Sequence, residues 1–202
     1  MHVIFPKLEK YQRLILKRMD RENEYHLHGY AWFETYVEAI KQLVYWYKDL
    51  ESPSELDTLI YEVGVNEYTS DLRDGISMSQ TEKFRLDEIG FEKFDLVRDF
   101  KVYDLNDKKR KIAELLSQGQ KPSYGFKDEA LHIVQEQFQK FTEDEIKPEA
   151  HEWHLKNDLI PDEVLDKMNG MGVSAIGIPE KYDGLAMTKE AMCVITEELS
   201  RG

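Results

Sequence analysis

Gly177-Ile178-Pro179-Glu180-Lys181-Tyr182-Asp183-Gly184-Leu185 is the stretch whose setting decides the fold. It follows a short helix ending in Met168-Asn169-Gly170-Met171-Gly172. It precedes a helix carrying Ile195-Thr196-Glu197-Glu198-Leu199-Ser200, with Ala191, Met192, Ile195 and Leu199 as its expected apolar face and Thr188 as its cap. Val173 to Ile178 is short and strand-like, but its flanking glycines argue for a loop. Upstream, Pro161 followed by Asp162 and Glu163 opens a helix, since acids complement the positive end of its dipole. That helix should turn Val164, Leu165 and Met168 to the core and stop at a left-handed Gly170.

Further back, Ala130, Leu131, Val134, Phe138 and Phe141 share one helical face. The periodic run continues through Phe141-Thr142-Glu143-Asp144-Glu145-Ile146-Lys147-Pro148 to Glu152-Trp153-His154. Pro148 lies inside it. It removes one backbone bond, to the carbonyl of Asp144, and predicts a kink or a restart. Ser117-Gln118-Gly119-Gln120-Lys121-Pro122-Ser123-Tyr124-Gly125 combines Gly, Pro, Ser and Gln without aliphatic residues. A domain boundary is expected there, dividing residues 1–120 from 121–202.

The first part is also helical in period. Phe33, Tyr36, Val37, Ile40, Leu43, Val44 and Tyr47 recur at three and four residues. The aromatic crowd of Tyr30, Trp32, Phe33, Tyr36, Tyr45, Trp46 and Tyr47 reads as a helix buried on most of its circumference, in preference to a ligand-stacking face. Ser52, Pro53 and Glu55 predict a cap, a first helical residue and a capping-box partner. Leu56, Leu59, Ile60, Val63 and Tyr68 form the next face, so two helices fold back on one another. Arg73 to Gln80 reads as a turn, and Ser79 with Glu82 as the start of a short helix toward Ile89-Gly90. Residues 91–120 are weakly periodic at Val97, Phe100, Ile112 and Leu115-Leu116.

The chain has 202 residues, 41% hydrophobic, and a net charge of −13. Residues 1–120 contribute −5 and residues 121–202 contribute −8. No basic stripe reads as a nucleic-acid footprint. Lys108-Lys109-Arg110-Lys111 is flanked by Asp104, Asp107 and Glu114 and reads as a solvated helix start. Cys193 is the single cysteine, which excludes an intramolecular disulfide. Beside Met192, Val194 and Ile195 it reads as a buried thiol. No run of about eighteen apolar residues predicts a membrane span. The acidic charge suits a cytoplasmic protein and selects no partner.

Tests for chemistry return no catalytic, cofactor-binding or metal residue. His151 and His154 lie three apart beside Glu145, Glu149 and Glu152, but no third ligand is identifiable. Glu197 and Glu198 are adjacent on a helix, about 100° apart, so they cannot share one proton site. Glu198 reads as an ion-pair partner and Glu197 as solvated. Gly170, Gly172 and Gly177 are too widely spaced for a nucleotide fingerprint. Ser77, Ser79 and Ser200 lack a base and an orienting acid.

In order and spacing, the segments from Phe141 to Ser200 resemble the N-terminal helical domain of the acyl-CoA dehydrogenase family. The family pattern is an acidic helix near "E-I-x-P", a "G-x-x-G-I-x-x-P-E-x-Y-G-G-L" loop, and a helix reading "x-x-E-E-L". The likeness covers roughly residues 125–202. His28 to Ala39 and Gly75 to Gln80 resemble a helical N-terminal extension in one bacterial branch of the family. The resemblance implies an all-α fold: a helical bundle like that N-terminal domain, preceded by a helical extension. It implies FAD and an acyl-CoA substrate for the full-length protein, an electron-transfer acceptor, a homo-oligomer and a place in fatty acid metabolism. Family members remove a proton alpha to a thioester while a hydride leaves the beta carbon for the flavin. The base, the flavin motifs and the β domain that hold this chemistry are not found in residues 1–202. The chain therefore looks truncated before the flavin domain, holding no FAD by itself. The alternative is a non-enzymatic helical interaction module derived from the same domain. Two positions depart from the pattern. Asp183 stands for the first glycine after the tyrosine, where aspartate tolerates positive φ, and Ala186 stands for another glycine.

Overall fold

The computed structural model describes residues 4–202, and these form two compact units that divide between Gly125 and Phe126. Both are helical; the described strands are two residues each. Among the described residues no helix is long and apolar enough to cross a membrane.

The first unit contains α1 (Ile4–Arg18), α2 (Glu24–Asp49) and α3 (Glu55–Asp74). Asn23 starts α2 by accepting from Tyr25 N at 3.0 Å and His26 N at 3.3 Å. Phe33, Val37, Ile40 and Val44 are its buried stripe. Leu8, Tyr11 and Ile15 of α1 join it, with Leu72, Ile76, Phe84 and Phe100, in one core. Of the aromatics on α2, Tyr36 meets Tyr68 edge-on at 5.0 Å and Tyr47 stacks on Tyr61 at 4.4 Å, whereas Tyr45 faces solvent.

Two local expectations need correction here. The cap of α3 is Ser54 and its capping-box partner is Asp57, not Ser52 with Glu55. Ser54 Oγ accepts from Asp57 N at 3.0 Å, and the Asp57 carboxylate accepts from Ser54 N at 2.9 Å. The second correction concerns residues 76–90. The expected helix from Ser79 is a hairpin of β1 (Ile76–Ser77) and β2 (Lys83–Phe84), antiparallel, with Ile76 opposite Phe84. Ser79 Oγ accepts from Thr81 N and Glu82 N, which reverses the chain instead of capping a helix. Phe84 then sits flat on the backbone of α2, where a Cβ on Gly29 would come within 2.2 Å of its ring. A single 3₁₀ turn (Leu86–Ile89) follows, closed by Gly90.

Beyond it lie α4 (Lys93–Asp99) and α5 (Asn106–Ser117). Leu96, Phe100 and Leu115 are buried, whereas Val97 is exposed. The basic cluster opening α5 is tied across to α3: Lys108 meets Glu62 and Lys109 meets Glu67, both at 2.5 Å. The Ser- and Gly-rich stretch is held as well. Ser123 donates from N (2.7 Å) and Oγ (2.9 Å) to Asp57, and its carbonyl accepts from Trp46 Nε1 at 2.9 Å. This attachment carries the first unit through Gly125.

The second unit contains α6 (Glu129–Phe141), α7 (Lys147–Lys156), α8 (Asp162–Gly170) and α9 (Lys189–Leu199). Between α6 and α7 the chain makes one wider π-helical turn, Thr142–Ile146, in which Lys147 N bonds to Thr142 O. The expected restart at Pro148 takes this form. The extra residue in the turn places Pro148 in the first turn of α7, where its missing N–H costs nothing. The left-handed residue after α8 is Gly172 (φ 82°); Gly170 is still helical. Leu165 and Ala130 face solvent. On α9 the buried face is Ala191, Val194, Ile195 and Glu198. Met192 and Cys193 lie off that face and are exposed, so Cys193 is not a core thiol.

Asp57 is wholly buried, and its carboxylate accepts four hydrogen bonds from Ser54 and Ser123. Burial pushes its carboxyl up, but the bonds from Ser123 and Ser54 outweigh burial and hold it below the ordinary carboxylate range. Because the folded value is the lower one, this stability is present above the unfolded pKa of about 3.9 and is lost as pH falls through the folded value. Asp57→Ala should cost about 2–4 kcal/mol in urea unfolding at pH 7, from the lost cap and the unpaired Ser123 amide. The deficit relative to the parent should shrink below about pH 4.

Candidate functional site: the loop and outer surface of residues 126–202

The loop between α8 and α9 is built by its own backbone. Leu185 N donates to Ala175 O at 2.9 Å, Ala186 N to Ile178 O at 2.9 Å and Met187 N to Ile176 O at 2.8 Å. Gly184 N reaches Pro179 O at 3.3 Å. The loop folds back on itself and closes on Ile176, which is buried with Phe138 of α6 and Ile195 of α9. Gly184 is obligatory for this closure, since a Cβ there would stand 1.9 Å from the Ile178 carbonyl oxygen. Asp183 (φ 60°) and Ala186 (φ 44°) both take the left-handed conformation. Asp183 thus keeps the turn that a glycine makes in the family pattern. Ala186 is the more strained replacement, because alanine lacks the local side-chain bond that helps aspartate there.

α9, which follows the loop, is locked to α6 by a buried polar contact. Glu198 is 1% exposed, and its Oε1 accepts from Gln135 Nε2 of α6 at 2.9 Å. Its Oε2 lies 3.4 Å from Arg201 Nε, an ion pair without hydrogen-bond geometry. Glu197 is solvated and pairs with Arg201 at 2.8 Å. The two glutamates therefore divide as their helical spacing requires, one inward and one outward. Gln135 is the partner that sequence reading missed. Its position one turn before Phe138 on the buried face was the available signal.

Large apolar side chains of this unit face outward: Ile178, Tyr182 and Leu185 in the loop, Met192 on α9, Leu155 in the last turn of α7 and Leu159 just beyond it. Met192 Sδ lies beside Gly177. No residue of α7 is fully buried within its own unit, although the helix carries Trp153 and Leu155.

His151 and His154 are exposed on α7. Among the described residues no group of three His, Cys, Asp or Glu side chains gathers in a metal-binding arrangement. The loop amides just described are bonded within the loop, so they do not fit a phosphate or flavin as donors.

Comparison with known proteins matches this unit directly. The family described as "Acyl-CoA dehydrogenase, N-terminal domain" matches residues 128–202. Residues 128–202 belong to the acyl-CoA dehydrogenase family, as its N-terminal domain. A (2S)-methylsuccinyl-CoA dehydrogenase from Cereibacter sphaeroides is 33% identical over 193 residues, spanning 90% of this chain. Coverage that wide takes in most of residues 1–125, so the likeness extends into the first unit. The chain spans about a third of that relative's length (35%).

Gly184→Ala should lower stability by about 2 kcal/mol or more, read by urea unfolding, because the Ile178 backbone must move. Glu198→Ala should cost about 2–3 kcal/mol, leaving the Gln135 amide unpaired between α6 and α9. Glu197→Ala should stay within about 0.5 kcal/mol in the same assay.

Proposed function

We propose that residues 1–202 are the N-terminal part of a FAD-dependent acyl-CoA dehydrogenase, and that their role is to pack against the catalytic parts and wall the acyl pocket. The observation that carries this reading is the set of large apolar side chains that residues 126–202 expose in the loop and beyond it, with no residue of α7 buried. The relative named for (2S)-methylsuccinyl-CoA supports a CoA thioester as substrate, and the likeness over both units favours a short, branched acyl group. The reaction is α,β-dehydrogenation, with FAD held by the remaining two-thirds that the relative carries and electrons passing to a separate acceptor. The chain supplies no catalytic residue in this reading. Ile178, Tyr182 and Leu185 exclude water and shape the acyl end of the pocket, on a loop whose internal bonds hold it rigid. Homo-oligomeric assembly and a cytoplasmic location belong to the same proposal.

The test is spectroscopic. The longest reading frame containing residues 1–202 should yield a yellow protein whose flavin absorbance bleaches on adding (2S)-methylsuccinyl-CoA or another short acyl-CoA. The 202-residue chain should retain no FAD after gel filtration. FAD retained by that chain alone would contradict the division of labour. A reading frame that stops at Gly202 and yields a monodisperse, colourless product would favour the interaction module instead.

A further inference from the structure

The first unit carries an open cleft of about 650 Å³. It lies between the start of α1, the middle of α3 and the segment from Asp99 to Lys108. Small-molecule sites run from about 300 to 1,000 Å³. Ile4, Val65 and Leu105 supply apolar wall, with the rings of Tyr61 and Tyr103.

Its charged groups divide into spent and spare. Glu62 is spent on Lys108 at 2.5 Å. The Asp99 carboxylate is spent on Lys10 (2.9 Å), Tyr11 (3.2 Å) and Arg98 (3.2 Å). These bonds outweigh the effect of its burial and hold it at about 2, so it stays ionised and occupied. Asp104, exposed like Lys101, accepts from Asn106 N at 3.0 Å. On the cationic side, half-buried Lys7 gives one bond to the Asp99 carbonyl at 2.8 Å and keeps two N–H donors. Lys101 Nζ makes no ion pair or hydrogen bond among the described residues. The Tyr61 hydroxyl also has no partner there, while stacking on Tyr47 fixes its ring. Burial, and then Tyr47 and Glu62, push its pKa up, so it offers a donor.

The spare polar capacity is thus donor in character and sits against apolar walls. An ammonium ligand would meet two ammoniums, and a bare inorganic anion would leave the walls wet. We infer that this cleft binds a small amphiphilic carboxylate, with its apolar chain against Ile4, Val65 and Leu105 and its carboxylate at Lys7 and Lys101. The site is independent of the proposed dehydrogenase chemistry, since every residue lining it lies in residues 1–125.

Isothermal titration of the 202-residue chain with octanoate tests it, with 1-octanol, octylammonium and acetate as comparisons. Saturable one-to-one octanoate binding is expected, with each comparison compound at least about tenfold weaker. Lys101→Glu reverses an exposed charge and leaves the core untouched; with an unchanged circular dichroism spectrum, it should weaken octanoate by about tenfold. Lys101→Arg should retain binding. No saturable octanoate binding, octanol binding as tight as octanoate, or unchanged affinity in Lys101→Glu would each overturn the inference.

Discussion

A carboxylate withdrawn from water must find donors, and each half of this chain is organised around one that does. In the first unit it is Asp57. Its two oxygens take up the amide and hydroxyl of Ser54 and of Ser123. One side chain therefore starts α3 and fastens a segment far along the chain to it. In the second unit it is Glu198, which turns inward from α9 to the Gln135 amide of α6. An apolar residue at either place would fill space without selecting a partner. The polar contact selects one, because a shifted register would leave a buried charge unpaired, and breaking such a pair costs several kcal/mol.

The second unit turns several large apolar side chains outward around a small core. Its buried cluster centres on Phe138, Ile176 and Ile195, while Leu155, Leu159, Tyr182 and Leu185 face outward. The loop that carries two of them is nevertheless stiff, held by its own backbone bonds and by the close approach at Gly184. A rigid apolar surface is suited to docking against another body, because little ordering entropy remains to be lost there. That property links the fold of residues 126–202 to the pocket-wall role proposed for them.

Helical period was the readable signal, and it located the long elements well. The Phe33–Val37–Ile40–Val44 stripe is buried as spaced, and Thr188 caps α9 by accepting from Ala191 N. Asp183 in the left-handed region was readable from the chemistry of aspartate alone. The misses share a cause. Ser52 and Ser54 are equally good caps by composition, and only the reach of Asp57 toward Ser123 favours the second. Ser79 has the chemistry of a cap and of a turn, and burial of Ile76 and Phe84 against α2 chose the turn. Met192 and Cys193 are apolar enough for a core. The face that holds Glu198 excludes them, because a helix with Ala191, Val194 and Ile195 inward turns residues 192 and 193 away.

The order of helices, the proline that interrupts one of them and the aspartate-bearing turn of the loop were decided by the sequence alone, because each depends on residues within a turn or two of one another. The family resemblance was legible for the same reason. The tertiary structure decided which of several competent side chains are used. The selection of Asp57 and Ser54, the partnership of Gln135 with Glu198, the seat of Phe84 on Gly29 and the cleft lined by Lys7 and Lys101 all join residues distant along the chain. Local chemistry is equal among such alternatives, and only the closing of a shared interior makes their energies differ.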